Sequence, residues 1–178
     1  MASQAPSGTH PLYVITAFQY YLCGRWGALR TFNPVAMNLF HHAVEMMIKC
    51  DLAKTLTVKD LRALGHKLGD LWIEFKRRNS GANLSHLDPA IDNLSRCEVL
   101  RYPDWLPSGG ATYGIVPTEA DKGKASGSAN TYVMSLEEID QLFAELIVTL
   151  GVQDLFQVTM MGPATAQTYA ERNLHRLF

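Results

Sequence analysis

NPVAMNLFHHAVEMMIKCDLAK, residues 33 to 54, reads as one long helix that cannot be left at a surface. Asn33 can cap it, and Pro34 falls in the first turn, where a missing N–H forgoes no hydrogen bond. Val35, Leu39, Phe40, Ala43, Val44, Met46, Met47, Ile48 and Leu52 cover most of its circumference, so it should be the central helix, packed by several neighbours. Its polar side holds a row at one-turn spacing, His41, Glu45 and Lys49.

Working outward, Leu12, Ile15, Leu22, Trp26 and Leu29 mark an upstream helix that stops before Asn33-Pro34. Downstream, Thr57 and Asp60 form a capping-box variant ahead of Leu61, Leu64, Leu68, Leu71, Trp72 and Phe75, which predicts one amphipathic helix. Ser85 and Asp88, with Pro89 in the first turn, open a fourth helix that turns Leu87, Ile91 and Leu94 inward. The helical period then lapses until Ser135-x-x-Glu138 caps another helix, which runs to Gly151. A short helix over about 164–177 ends the chain. Between Tyr102 and Ser135, two β-prone runs, Ala111 to Val116 and Thr131 to Met134, flank a Gly/Ser/Lys-rich stretch and predict a hairpin with a mobile tip.

The expected fold class is therefore all-α, an up-and-down bundle of four to five long helices with a β-hairpin or irregular insertion before the last long one. Residues 1–9 are expected to be a disordered tail, 10–178 a single domain, and 117–130 a flexible loop.

Length and composition agree: 178 residues, 47% of them apolar, suffice for one core. The net charge of −1 creates no general field for nucleic acid or an anionic membrane, so any such contact must be local. Cys23, Cys50 and Cys97 are too scattered for a disulfide framework or a zinc site. Without an apolar start or a spanning run, the expectation is a cytoplasmic protein with no membrane or DNA partner. No phosphate loop, dinucleotide turn, zinc-protease helix or serine elbow occurs, so neither cofactor nor metal is expected.

The candidate catalytic residues are Arg62, His66, His41 and Glu45. A carboxylate beside an imidazole can orient it as a general base, although the same arrangement often only satisfies semi-buried groups. Gly65 and Gly69 share a helix face with Arg62 and His66, which suggests a second packing surface. Candidate ligand-binding residues are Glu98 and Arg101, one turn apart on the fourth helix, and the basic run Lys76, Arg77 and Arg78. The default explanations are structural: a partner for Glu98 on the buried side of its helix, and cations that complement a helix-end dipole.

Three stretches resemble the HEPN family (higher eukaryotes and prokaryotes nucleotide-binding domain). His42-Ala43-Val44-Glu45-Met46-Met47-Ile48-Lys49 is similar to its second-helix pattern, Gly65-His66-Lys67-Leu68-Gly69-Asp70-Leu71-Trp72 to its third-helix segment, and Leu100-Arg101-Tyr102-Pro103-Asp104 to the close of its fourth helix. The resemblance implies a helical bundle, a homodimer, and a stress-response or toxin–antitoxin setting. A nucleotidyltransferase-like partner, RNA or a nucleotide would be the ligands to look for. Many members are metal-independent ribonucleases that use an Arg and a His four to six residues apart. This chain departs from that pattern: Arg62 and His66 are separated by three residues, Arg172 and His175 by two. The resemblance thus favours a non-catalytic binding or scaffold protein over a ribonuclease or a nucleotide-binding module.

Overall fold

The computed structural model describes residues 11–98, 112–125 and 131–177, and it is mostly helical. Helix α1 spans Pro11–Ala28 and α2 Asn33–Leu52, and these two form the most extensive helix pair. As expected, α2 is buried nearly all round, with Ala36, Met37, Phe40, Ala43, Val44, Met47, Ile48 and Cys50 withdrawn from solvent. Phe32 rather than Asn33 takes its cap position, and no side chain caps it. On α1 the buried face is Val14, Ala17, Phe18, Tyr21, Leu22 and Arg25, while Leu12 and Trp26 of the expected stripe stay exposed. The helices meet closely at Gly24, where a Cβ would come within 2.8 Å of the Phe40 ring.

The single helix expected from Thr57 is two. Helix α3, Val58–Ala63, starts at the expected capping box of Thr57 and Asp60, and α4 runs Leu68–Arg78. Gly65 breaks them apart at φ +63°, a conformation L-residues avoid because Cβ then crowds the following carbonyl. No other element of this chain packs on the expected Gly65 and Gly69 face, since a Cβ at either would meet nothing within 4 Å. Leu68, Leu71, Trp72 and Phe75 keep the predicted inward stripe on α4. A 3-10 turn at Ser85–Leu87 leads into α5, Asp88–Arg96, which buries Ala90, Ile91 and Leu94.

The predicted hairpin is a parallel pair. Strand β1, Thr112–Val116, lies beside β2, Thr131–Ser135, in a register that places Thr112 opposite Thr131 and Val116 opposite Ser135. Parallel strands require the chain to return to its starting edge, and helix α6, Glu119–Ala125, lies on that connection. Part of the stretch expected to be flexible is therefore helical, and 126–130 fall outside the described residues. Helix α7, Leu136–Leu150, is capped by the Ser135 hydroxyl, which accepts from the Glu138 N–H, and it ends at Gly151 in the left-handed region, as expected. Two short helices follow, α8 at Gln153–Thr159 and α9 at Pro163–Ala170, so the last helix stops well short of residue 177. The core centres on aromatic rings: Phe18 packs edge-on to Phe156 at 4.6 Å, and Tyr21 stacks on Phe143 at 4.0 Å.

Candidate functional site

Three of the four candidate catalytic residues converge on α2. Glu45 is wholly buried, and its Oε1 accepts from Lys49 Nζ at 2.7 Å and from His66 Nδ1 at 2.8 Å. Its Oε2 faces His42 Nδ1 at 3.4 Å and His41 Nε2 at 3.9 Å. Helical spacing brings His41, His42 and Lys49 to Glu45, but the break at Gly65 brings His66. Lys49 Nζ also donates to the Gly65 carbonyl at 2.7 Å, so one cation fastens both the carboxylate and the elbow.

Charge and hydrogen bonding determine what each group can do. Burial pushes the Glu45 carboxyl up, yet hydrogen bonds from His42, Lys49 and His66 outweigh it and hold the pKa down at about 2. Glu45 is thus a fixed anion near neutral pH rather than a base. A carboxylate can only accept, so His66 donates through Nδ1, leaving Nε2 on a side chain that is 61% exposed. His41 is held differently, its Nδ1 donating to the Leu94 carbonyl of α5 at 3.1 Å within the core. Arg62 is exposed on α3, and among the described residues no side-chain hydrogen bond or ion pair joins it to this cluster. No group of three or more His, Cys, Asp or Glu among those residues is arranged to hold a metal ion.

The basic run in the last turn of α4 faces carboxylates. Lys76 Nζ bonds both Asp88 oxygens, at 2.7 and 2.8 Å, and Trp72 Nε1 donates to the same Asp88 at 2.7 Å. Arg77 and Arg78 both donate to Glu74. Their three hydrogen bonds hold the Glu74 carboxyl down at about 2. Glu98 is half-buried beyond α5, and Arg101 lies outside the described residues.

A second polar cluster, absent from the sequence reading, lies in the aromatic core. Tyr21 donates to Asp140 Oδ1 at 2.7 Å, and Arg25 pairs with Asp140 Oδ2. Arg25 also donates to the carbonyls of Thr168 and Glu171, tying α1 to α7 and to the end of α9. Burial, and then the Asp140 charge, push the Tyr21 phenol well above its usual range, so it remains a donor. Two signals for this cluster were present in the sequence. Tyr21 and Arg25 are one turn apart, and Asp140 lies on the stripe of Leu136, Phe143 and Ile147.

No protein-family model, curated protein or solved structure matches this chain. Its functional reading therefore rests on its own residues. Among those described, no helix is long and apolar enough to cross a membrane.

Proposed function

We propose that this chain is a HEPN-like binding or scaffold protein, an up-and-down helical bundle that acts as a homodimer and performs no chemistry of its own. The supporting observation is the apolar corner between α1 and α2. Trp26, Phe32 and Val35 are 47, 54 and 61% exposed, and the Trp26 and Phe32 rings stack at 6.0 Å. Scattered exposed apolar residues are ordinary, whereas a cluster at one corner is the kind of patch a partner covers. A second copy related by a two-fold axis would bury both corners in one self-complementary contact. The pairing of Lys76, Arg77 and Arg78 with Asp88 and Glu74 supports the non-catalytic half, because a phosphate would have to displace those carboxylates. Sedimentation equilibrium at micromolar concentration should give about twice the 19.8 kDa chain mass, and the Trp26→Glu, Phe32→Glu double variant should give the single mass. A monomeric wild type overturns the dimer.

One observation favours the ribonuclease as a second reading. Glu45 fixes the His66 tautomer and leaves Nε2 outward, which is the posture of a general base. Metal-free single-turnover assays on structured and unstructured RNA decide between the two. Cleavage that disappears in His66→Ala would replace the scaffold reading.

A further inference from the structure

Among the described residues, two other than glycine have positive φ, Thr31 at 65° and Arg172 at 55°. They come from distant parts of the chain, the α1–α2 turn and the segment after α9, yet both line the same cavity of about 240 Å³. At Thr31 the backbone closes α1 through Phe32 N–H to the Gly27 carbonyl and Thr31 N–H to the Ala28 carbonyl, a helix end at which glycine is the usual occupant. A β-branched residue there is an outlier. Backbone strain of this kind gathers at active sites and ligand clamps.

The chemistry of the cavity indicates what would fill it. Its wall is apolar, formed by Ala28, Leu29, Ile115 and Leu136, and no acidic side chain lines it among the described residues. Arg172 supplies the charge: its guanidinium makes no ion pair or hydrogen bond with any described residue. The Thr31 hydroxyl is committed to the Arg30 carbonyl at 2.6 Å, which leaves Arg172 as the head-group ligand. The carboxylates at the start of α7 are engaged elsewhere, Glu137 with the Glu119 N–H and Glu138 with Lys122. The volume falls below the roughly 300–1,000 Å³ usual for larger ligands, so the body must be short.

We infer that this cavity binds a small amphipathic anion, with an apolar body of a few carbons against α1, β1 and α7 and a carboxylate head on Arg172. The probe is hexanoate, with hexanamide as the uncharged isostere and inorganic phosphate as the anion without a body. Two-dimensional amide spectra should show saturable shifts at Thr31, Ile115 and Leu136 with hexanoate, and affinities at least about tenfold weaker for the other two. Arg172→Asn removes the charge but tolerates positive φ, and it should weaken hexanoate by about tenfold or more, whereas Arg172→Lys should retain most of the affinity. Absence of a saturable shift, equal binding of hexanamide or phosphate, or an unchanged affinity in Arg172→Asn would each overturn the inference. These shifts are read at the cavity whatever the sedimentation mass, so failure here and failure of the dimer are separate results.

Discussion

Tyr21 of α1 donates its hydroxyl to Asp140 of α7 at 2.7 Å, and Arg25, one turn further along α1, pairs with the other oxygen of the same carboxylate. This side-chain group ties the beginning of the chain to its last third inside an apolar core. Removing one partner of a buried ion pair leaves the other charge uncompensated, so Asp140→Ala should lower unfolding stability by about 3–5 kcal/mol. Tyr21→Phe removes a hydrogen bond to a charged group and should cost about 1.5–3 kcal/mol. Replacing both charges, Arg25→Met with Asp140→Leu, should recover much of the Asp140→Ala loss. Urea titrations that leave Asp140→Ala at the wild-type midpoint would remove the pair from the core.

Glu45 makes stability depend on pH in the acid range. Its folded pKa of about 2 lies below the ordinary 4.5, so the folded state releases this proton more readily than the unfolded chain. The stabilisation is fully present above the ordinary value and is lost as pH falls from there through about 2. At about 1.4 kcal/mol per pH unit its magnitude is of order 3 kcal/mol. Glu45→Gln, destabilised at neutral pH, should converge on wild type as the pH is lowered across that window. A gap between the two that stays constant would mean that Glu45 does not titrate differently on folding.

Thr31 should tolerate glycine better than itself. Relief of a left-handed β-branched residue is worth about 1–2 kcal/mol, offset in part by the entropy glycine adds to the unfolded chain. A rise of about 1 kcal/mol in Thr31→Gly, read by thermal or urea unfolding, is the expected result. A fall would show that the threonine side chain contributes more to the fold than its backbone strain removes.

Gly65 and Gly69 should part company on substitution. Gly65→Ala forces a Cβ into the left-handed region and should cost about 1–2 kcal/mol despite the open space around it. Gly69→Ala lies near the start of α4, again in open space, and should gain up to about 1 kcal/mol of helix propensity. Equal effects in the two variants would contradict the break between α3 and α4.

Much of the fold was legible because its signals are local. The Thr57–Asp60 and Ser135–Glu138 caps, the left-handed stop at Gly151 and the α4 stripe through Leu68, Leu71, Trp72 and Phe75 depend on residues three or four apart. Helix α6 was missed although Thr118 and Asp121 repeat the Thr57–Asp60 spacing and are in contact at 2.8 Å, because glycine and lysine obscured the helical period. The same omission turned a parallel pair into a hairpin.

By itself, then, the sequence determined a mostly helical chain, a buried α2, and the row of His41, Glu45 and Lys49 along it, since helical periodicity places residues four apart on one face. Tertiary structure alone decided that a left-handed Gly65 would swing His66 onto Glu45, that Asp140 would meet Tyr21 and Arg25, and that Thr31 and Arg172 would share a cavity. Those contacts join residues far apart in the chain. Their partners are selected by how whole helices pack, which no local spacing encodes.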